Sequence, residues 1–481
     1  MPGYPINEVI GAGLEHWMAG VVRECERVRH DFAPEPVHNL RVALRRCRSI
    51  AEGFMAFDPH PSWKLMKDEG KRLFHALGDL RDTHMMLEWL EHLPFTHDRS
   101  FLLLKKHLSL QETRLAVRAA EALQNFDGKQ WNSWISVLPA RTMLIASESM
   151  AFEHLALQRW NEAYEMHRQA MRNRSYAAYH RLRIALKKFR YTLENFLPTR
   201  HQLWGEELKA LQDLLGEVHD LHVLWRTGLS IRAIQGQELR HSWKRRISAE
   251  VEERLARYRQ KMSGPHSLFP AWRLQLPGPD HIPETALAWI EAWASFRDPD
   301  FLRSKRVAGL ALQIYDSMEA AGISSTTAVA NPRWILHAAA LVQDTGKIRA
   351  GKKHQVASYR LIRRLAPMVG CNSEMIRQIA LTTRFHCGGL PRSNQKAFSE
   401  TAEYQRGEII RLAGILRLAN ALADTLAGGK IGIERSGNVL YINAPKYLSL
   451  DKSAEKIAAA RHLLEITCQV PILIRQAPAE Q

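Results

Sequence analysis

Apolar residues recur at intervals of three and four along nearly all of residues 1–262. This spacing places their side chains on one face of an α-helix. Glycine is scarce in these stretches, and the prolines stand in groups between them, where helices begin and end. No stretch alternates apolar and polar residues as a half-buried strand does. We therefore expect residues 1–262 to form a helical domain.

The segment 263–283 interrupts this pattern. It includes five prolines and two glycines, and no helix can run through so many breakers. We interpret it as a Pro-rich linker to a second domain over residues 284–481. In that domain the helical spacing resumes, an alternating stretch around Gly437 and Asn438 predicts a β-hairpin, and a last helix is expected over Ser453–Gln469.

The first domain contains an internal repeat. His38–Arg48 reads HNLRVALRRCR and His180–Arg190 reads HRLRIALKKFR, so every basic position of the first copy is basic in the second. A second pair of blocks follows in the same order, LGDLRDTH at Leu77–His84 and LGEVHDLH at Leu215–His222. Two blocks repeated in the same order predict two related helical bundles. The bundles are expected over about residues 1–140 and 150–262.

Basic side chains of the first copy form one continuous stripe. At about 100° per residue, His38, Arg41, Arg45 and Arg48 fall within an arc of about 80°, and the apolar stripe lies about 110° round the same helix. The second copy repeats this geometry. Cations so close to buried surface are placed to line a groove. Facing stripes would form a channel for a linear polyanion, because Arg and Lys bind phosphate oxygens well.

A charged stripe can also be an ordinary solvated helix face. Two copies with the same spacing and few carboxylates favour the groove. Four acidic residues of the second blocks are expected to support the basic groups through salt bridges, and binding of a cation carried by phosphate is the other role they could have. These residues are Asp79, Asp82, Glu217 and Asp220.

The repeated motifs resemble those of the CHAD family, the conserved histidine α-helical domain. The resemblance covers about residues 5–262. It implies two four-helix bundles related by pseudo-twofold symmetry, with a basic central pore that binds inorganic polyphosphate. His219 stands in the second copy where the first has Arg81, a departure that leaves this fold expectation intact. From the motifs and the neighbouring stripes, the residues predicted to bind polyphosphate are His38, Arg41, Arg45, Arg46, Arg48, Lys64, Lys67, Lys71, His180, Arg183, Lys187, Lys188, Arg190 and Lys209.

The second domain resembles a different family. HAAALVQDTGK, from His337, resembles the helix that carries the His-Asp doublet of HD-type phosphohydrolases. KKHQVASYRLIRRL from Lys352, TTRFHCGGLP from Thr382 and LAGILRLANALADT from Leu412 are similar to the C-terminal HD-like domain of the exopolyphosphatase and pentaphosphate phosphohydrolase family. The resemblance covers about residues 284–475. It implies a helical domain that helps to grip the polymer, whereas hydrolysis in that family belongs to a separate domain.

An HD metal site needs a His, a His-Asp doublet and a final Asp. Here Gln343 replaces the doublet's His, Asn420 replaces the final Asp, and the helix FLRSKRVAGLALQIYD supplies no first His. Asp344 remains, with Asp424 one turn from Asn420. A neutral amide is a poor ligand for a catalytic metal, so we expect no HD hydrolase centre and assign no catalytic residue. If a different metal site exists, Asp344 and His386 are its first candidates.

Residues 301–400 hold 15 basic and five acidic residues. This local excess of positive charge predicts a second surface that could bind phosphate groups. Its expected members are Lys347, Lys352, Lys353, His354 and Arg360.

The composition agrees with a polyanionic partner. The 481 residues include 67 Lys and Arg against 50 Asp and Glu, a formal charge of +17, and such a charge attracts polyanions in general. The sequence shows no apolar run of about 18 residues and no signal-peptide pattern at its start, which predicts a cytoplasmic protein without a membrane partner. Five separated cysteines without a CxxC pair argue against a disulfide framework or a thiolate zinc site.

Together these observations predict a non-enzymatic protein that binds inorganic polyphosphate in a basic helical pore, without a cofactor, at polyphosphate granules. Divalent cations could accompany the polymer, and the HD-like domain suggests a homodimer. Two alternatives stay open. One is a metal-dependent phosphohydrolase that acts on polyphosphate or nucleotides through Asp344, Asp424 and displaced histidines. The other is a nucleic-acid-binding protein, which the lack of aromatic residues interleaved in the stripes disfavours.

Overall fold

The protein divides into two compact units, the N-terminal unit Met1–Thr285 and the C-terminal unit Ala286–Gln481. No helix in the described part of the chain is long and apolar enough to cross a membrane. Residues 1–8, on which the interpretation of the chain's start depends, lie outside the described residues. The structure, a computed structural model, describes residues 9–92, 99–265, 267–323, 328–392, 394–424, 431–444, 447 and 452–476.

The N-terminal unit is built from helices, as its apolar spacing predicts, and the mainly α fold is confirmed. Prolines at the first turn begin several helices, because their missing N–H group has no helical partner there; Pro34, Pro61 and Pro198 are examples. The helices are α1 (Val9–His30), α2 (Pro34–Phe54), α3 (Pro61–Ala76), α4 (Gly78–His92), α5 (Arg99–Gln124), α6 (Gly128–Thr142), α7 (Met150–Asn173), α8 (Tyr176–Phe196), α9 (Pro198–Ser230), α10 (Gln237–Met262) and α11 (Leu268–Leu274).

The two sequence copies fold into corresponding helices. Helix α1 packs on α2, and α7 packs on α8 in the same way. The copies differ at one point, because α9 is continuous where the first copy has α3 and α4 separated at Leu77. The matching sequence blocks therefore lie on corresponding helices. In the first copy these helices are interrupted at Leu77, and in the second copy they are not.

The two copies share their apolar cores. Rings of Phe54 and Trp63 stack with centroids 5.2 Å apart, and those of Phe152 and Phe196 stack at 4.4 Å. This aromatic cluster joins α2 and α3 of the first copy to α7 and α8 of the second. Gly53 permits the close approach of α2 and α8, since a Cβ atom there would collide with the ring of Phe196. The close approach brings the basic stripes of α2 and α8 near each other.

The predicted linker 263–283 contains the short helix α11. Pro270 lies in the first turn of α11, where a missing N–H group costs no hydrogen bond. Phe269 and Trp272 are buried, and the ring centroid of Phe269 lies 4.8 Å from that of His167 on α7. Aromatic residues of this segment thus pack into the N-terminal unit, which the count of prolines and glycines did not indicate.

The C-terminal unit surrounds a buried helix, α18, which packs against α13, α14, α17 and α19. The boundary between the units falls within α12. Single 3₁₀ turns occur at Gly351–Lys353 and Lys396–Phe398. The other elements are α12 (Ile282–Ser295), α13 (Phe301–Ala320), α14 (Pro332–Val342), α15 (Lys347–Ala350), α16 (His354–Ile362), α17 (Ser373–Arg384), α18 (Glu403–Ala423), β1 (Gly432–Ser436), β2 (Val439–Ala444), α19 (Lys452–Cys468) and β3 (Ile472–Gln476).

The predicted hairpin is present, with one strand more than expected. Strands β1 and β2 pair antiparallel with Ile433 opposite Ile442, and Gly437 adopts the positive φ of 58° that a tight turn needs. Strand β3 pairs parallel to β2, with Leu473 opposite Tyr441. Parallel neighbours need a crossover, and α19 supplies it within one residue of the predicted helix.

Candidate polyanion site and HD-like centre

Helices α2 and α8 pack against each other and bring the two predicted stripes together. At their centre Lys187 lies within electrostatic range of Arg45 and Arg183, and also of Arg41 and Arg48. Burial, and then repulsion from these four arginines, lowers the pKa of Lys187 from 10.5 to about 6. We call Arg45, Arg183 and Lys187 the central cluster.

The central cluster has no direct ion pair, although Asp82 and Asp220 interact with Arg183 at longer range. Among the described residues, none of its three side chains forms an ion pair within 4.0 Å of a carboxylate. The Nε groups of Arg45 and Arg183 are buried without a hydrogen-bond partner, and so is Nδ1 of His180. Buried donors are normally paired, and concentrated positive charge is costly without an anion. The cluster therefore has the properties of an anion site.

A cavity of about 260 Å³ opens at the central cluster, whose three residues line it together with Arg48, Phe74 and Tyr191. The guanidinium of Arg45 lies 5.8 Å from the centroid of the Tyr191 ring. The sequence analysis assigned no role to these aromatic residues, although Tyr191 directly follows the second stripe. Aromatic faces below guanidinium groups hold the planar forks in fixed orientations.

The repeated Leu-Gly blocks explain how the stripe arginines fit. A Cβ atom at Gly78 would lie 3.3 Å from Nη1 of Arg41, and one at Gly216 would lie 3.9 Å from Nε of Arg183. Glycine thus leaves room for Arg41 in the first copy, whereas a Cβ atom at Gly216 would make only an ordinary contact with Arg183. Arg41 also donates a hydrogen bond of 2.8 Å to the carbonyl of Phe74, two residues from the end of α3.

Five other predicted residues of the described stripes are paired with carboxylates of the protein. The pairs are Arg46 with Glu194, Arg48 with Glu52 at 3.0 Å, Lys67 with Glu52 at 3.6 Å, Lys188 with Glu162 at 2.9 Å and Arg190 with Glu194 at 3.6 Å. Their charge is partly neutralised, so they offer a ligand less than the central cluster does.

None of the four acidic residues that the sequence analysis named forms a direct ion pair with a described stripe residue, although Asp82 and Asp79 stabilise the charge of Arg41 from a longer distance. Glu217 pairs with Arg254 of α10 at 2.5 Å. Asp79, Asp82 and Asp220 form no ion pair within 4.0 Å of a described stripe residue. The support comes from the glutamates of the pairs above, which lie on α2, α7 and α8. Asp220 remains close enough to Arg183 to feel its charge, which opposes the rise of the Asp220 pKa to about 6 that burial causes.

The stripe histidines lie at the ends of the site. Burial, and then the charges of Arg81, Arg45 and Arg41, lower the pKa of His38. Burial and the charge of Arg183 do the same for His180. Neutral histidines in the free protein can gain a proton when an anion binds.

A third histidine, His219, stands beside His180 with ring centroids 5.0 Å apart. Its Nδ1 lies 2.6 Å from the hydroxyl of Tyr176. Burial, and then nearby positive charge led by Arg183, lower the pKa of His219 to about 4. The substitution of Arg81 by His219 in the second copy therefore leaves a group that is neutral near pH 7.

The remaining predicted lysines lie outside this cavity. Lys64, Lys71 and Lys209 are exposed on α3 and α9 and do not line it. Their position leaves them free to meet a polymer that leaves the cavity, but it does not set them apart from other exposed cations.

In the C-terminal unit, Arg303 fills the centre of the HD-like site. Its Nη1 donates to the side-chain oxygen of Asn420 at 3.0 Å and lies 3.7 Å from Oδ2 of Asp344. Its Nη2 pairs with Asp424 at 2.7 Å. A guanidinium therefore stands where these oxygen ligands converge. The sequence analysis noted that α13 supplies no histidine there, but it did not assign a role to Arg303.

The other replaced ligands bond to each other. Gln343 is fully buried, and its side-chain oxygen accepts a hydrogen bond from the Asn420 amide. An amide pair and a guanidinium do not supply the donors that an HD metal centre needs. The residues present thus do not fit the metal of an HD phosphohydrolase, and we derive no hydrolytic step from this centre.

The structure separates the members of the predicted second phosphate surface. Lys347, Lys352, Lys353 and Arg360 are exposed. His354 instead faces inward, and its Nε2 lies 3.2 Å from Oδ1 of Asp344. The predicted surface therefore consists of the three lysines and Arg360, without His354.

Asp344, His354 and Cys387 titrate as a group. Burial alone would raise the pKa of Asp344, but the His354 hydrogen bond and the nearby His386 and Lys347 lower it to about 2. The hydrogen bonds to Asp344 and then to Cys387 raise the pKa of His354 to about 10. Burial would also raise the pKa of the Cys387 thiol, and the two histidines lower it to about 6. The group favours an ionised Asp344 carboxylate beside a protonated His354 imidazole.

Comparison with known proteins matches residues 12–227 to the CHAD domain and residues 293–466 to the Ppx/GppA phosphatase, domain III. The crystal structure of the CHAD domain from the plant Ricinus communis is 25% identical and covers 56% of this chain and 90% of its own, with a TM-score of 0.38. PptA from Streptomyces chartreusis is 16% identical and covers 53% and 99%, with a TM-score of 0.39. No curated protein matches the chain.

The N-terminal unit is thus a helical domain built from two repeats whose basic stripes lie side by side. The chain contains a CHAD domain followed by a domain of the Ppx/GppA phosphatase domain III family, as the sequence motifs indicated. Together the two families point to a function related to polyphosphate.

Proposed function

We propose that the protein binds inorganic polyphosphate at the central cluster and does not hydrolyse it. The observation that carries this proposal is the group of three basic side chains, Arg45, Arg183 and Lys187, none of which has a carboxylate within 4.0 Å among the described residues. Phosphate oxygens would accept hydrogen bonds from the unpaired Nε groups and offset the repulsion that depresses the pKa of Lys187.

A polymer suits this arrangement better than a single phosphate ion. Paired cations such as Arg48 and Lys188 line the same cavity as the central cluster, and exposed lysines lie beyond it. Successive phosphates could then bind successive donors, so affinity would rise with chain length. Release of counterions would make the binding weaken steeply with salt.

Binding without hydrolysis is supported by the C-terminal unit. Arg303 supplies a fixed positive charge to Asp344 and Asp424, so these carboxylates are already engaged by the protein. We further propose that the protein associates with cytoplasmic polyphosphate granules, since a granule presents the polymer at high density.

The test is a titration of the full-length protein with labelled long-chain polyphosphate, with duplex DNA as competitor, at near-physiological salt. The informative variant is the double substitution Arg45→Gln and Arg183→Gln. A matched control changes two exposed arginines of α5, Arg114→Gln and Arg118→Gln, and so removes the same charge.

We expect that duplex DNA does not displace the bound polyphosphate. The affinity should fall at least about tenfold in the cluster variant, a loss of at least ~1.4 kcal/mol, and it should be unchanged in the control. Equal weakening of both variants would mean attraction by net charge alone, and equal competition by DNA would favour a nucleic-acid-binding protein. Phosphate release that Asp344→Asn abolishes would instead establish the phosphohydrolase alternative.

A further inference from the structure

Three metal-binding side chains converge in the C-terminal unit at a place that the proposed function does not use. Nε2 of His354 lies 3.2 Å from Nε2 of His386. Sγ of Cys387 lies 3.7 Å from Nε2 of His354. All three donor atoms lie within 4.8 Å of one another. The sequence analysis named His386 as a metal candidate, placed His354 on a phosphate surface and argued against a thiolate zinc site.

The spacing of the donors matches a tetrahedral ion. Zinc binds imidazole nitrogen at about 2.0–2.1 Å and thiolate sulfur at about 2.3 Å. Around one tetrahedral ion, two such nitrogens would stand about 3.3 Å apart, and a nitrogen and a sulfur would stand about 3.6 Å apart. The observed separations of His354 from His386 and from Cys387 are close to these values. Little movement is needed to admit the ion.

Both histidines are oriented for coordination through Nε2. Nδ1 of His354 lies 3.1 Å from the carbonyl of Gly351. Nδ1 of His386 lies 2.7 Å from the carbonyl of Thr383. A backbone acceptor at Nδ1 holds a proton there and turns Nε2 toward the other donors, which is the usual support of a metal-bound histidine. Zinc would displace the Nε2 proton that His354 shares with Asp344.

Asp344 is not part of this group of three, but it offers a fourth donor beside the two histidines. Its Oδ1 lies 3.2 Å from Nε2 of His354 and 4.0 Å from Nε2 of His386. Its Oδ2 faces away, toward Lys347 at 3.4 Å and Arg303 at 3.7 Å. The two oxygens therefore have separate partners, so Oδ1 can bind an ion while Oδ2 keeps its contacts with the two cations.

We infer that His354, His386, Cys387 and Asp344 form a zinc site. Two imidazoles with a thiolate select zinc over magnesium and calcium, which prefer oxygen donors. Only Asp344 is shared with the ligand set of an HD phosphohydrolase, so this is a different site. It borders a cavity of about 560 Å³ and does not depend on polyphosphate binding.

The bound ion would join three separate segments of the unit. Asp344 follows α14, His354 begins α16, and His386 and Cys387 follow α17. A ligand that binds only the folded arrangement stabilises it. Zinc would therefore raise the melting temperature of the C-terminal unit and fix the loop that carries Cys387.

The test uses the full-length protein, stripped with a chelator and then loaded with zinc or cobalt(II). Zinc is counted by elemental analysis after desalting. Cobalt(II) in a tetrahedral site with a thiolate gives strong visible bands and a sulfur-to-metal charge-transfer band in the near ultraviolet. The variants are Cys387→Ser and His386→Ala, and the control is Cys468→Ser, which changes another partly buried cysteine of the unit.

We expect the wild type and the control to bind one equivalent of zinc each. Only Cys387→Ser should remove the cobalt charge-transfer band, and the circular dichroism spectrum of this variant should match that of the wild type. His386→Ala should weaken metal binding at least about tenfold, a loss of at least ~1.4 kcal/mol. Wild-type protein that retains no zinc, or a cobalt spectrum of octahedral type without the charge-transfer band, would overturn the inference, and that result does not depend on whether a variant folds.

Discussion

The guanidinium of Arg303 lies 3.7 Å from the carboxylate of Asp344, a residue that the HD resemblance would assign to a metal. The same guanidinium pairs with Asp424 at 2.7 Å. A side chain attached to α13 thus provides the positive charge that a metal would provide in an HD phosphohydrolase. The C-terminal unit, which matches the Ppx/GppA phosphatase domain III, therefore has a guanidinium at the centre of its HD-like site.

Removal of this guanidinium should destabilise the C-terminal unit. In Arg303→Met, the nearly buried Asp344 loses a cationic neighbour and Asn420 loses a hydrogen-bond donor. Hydrogen bonds to charged groups contribute about 1.5–3 kcal/mol, and we expect a loss of that order in the free energy of unfolding, measured by denaturant titration. The control is Lys305→Met on the same helix as Arg303. It breaks only an exposed pair with Glu291 of α12 and should change the free energy of unfolding by less than about 1 kcal/mol.

Lys187 should make polyphosphate binding dependent on pH. Its pKa in the free protein is about 6, so the amine is mainly neutral at pH 7.5. A bound phosphate chain favours the charged form, so binding takes up a proton and strengthens as pH falls, by at most about tenfold per pH unit for one proton. Calorimetry in buffers of different ionisation enthalpy measures this uptake, which Lys187→Met should reduce by about one proton. Uptake unchanged in the variant would contradict the assignment.

The same lysine should lower the stability of the unliganded protein. Because the folded pKa of about 6 is below the unfolded value of 10.5, the unfolded chain binds the extra proton between these pH values, and the stability contributed by Lys187 rises with pH through that window. At pH 7, Lys187→Met should raise the melting temperature by about 2–4 °C, the shift that ~1 kcal/mol produces in a large domain. A lower melting temperature would contradict the proposed repulsion.

A larger residue in place of Gly346 should lower the stability of the C-terminal unit. A Cβ atom there would collide with the backbone of Ser358 on α16, and the Gly346 N–H donates to the Ser358 hydroxyl at 2.9 Å. We expect Gly346→Ala to destabilise by about 2 kcal/mol or more through overpacking and to displace His354. Gly309→Ala has open space within α13 and should stabilise by about 0.5–1 kcal/mol. Denaturant titration of both variants makes the comparison.

Arg41 and Arg183 occupy matching positions and should respond differently to substitution. Arg41→Gln removes a hydrogen bond to the Phe74 carbonyl and should cost about 1–2 kcal/mol of stability. Arg183→Gln removes a cation without an ion pair, so it should spare stability, weaken polyphosphate binding and reduce the log–log salt slope by a little under one. Equal effects of the two variants on both quantities would contradict this division.

Much of the fold could be predicted because its determinants are local. Helical spacing and the Gly437 turn are contained in short windows of sequence. Strand β3 was missed because its only strand partner in the described sheet is a parallel neighbour beyond α19, and that pairing leaves no hairpin signal. Helix α11 was not predicted because the number of prolines argued against any helix in the segment 263–283, whereas Pro270 fits the first turn of α11.

The candidate sites were likewise predictable only where their determinants are local in the sequence. The stripes were predictable from the spacing of basic residues on α2 and α8. Which cations stay unpaired was not, because Glu162 and Glu194 reach Lys188 and Arg46 only in the folded bundles. The convergence of His354, His386 and Cys387 could not be predicted, because these side chains belong to two separate segments and form no CxxC pair.

The break between α3 and α4 has a consequence for how the two halves of the repeat can diverge. At Arg41 the broken helix offers a backbone carbonyl, and at the matching Arg183 the helix α9 runs on without interruption. Two identical chains forming a homodimer would have to give both arginines the same surroundings. Because the two halves are joined in one polypeptide, a single mutation can change one half and leave the other unchanged. Arg41 can therefore stabilise the packing of the helices, while the Nε group of Arg183 stays without a partner in the protein.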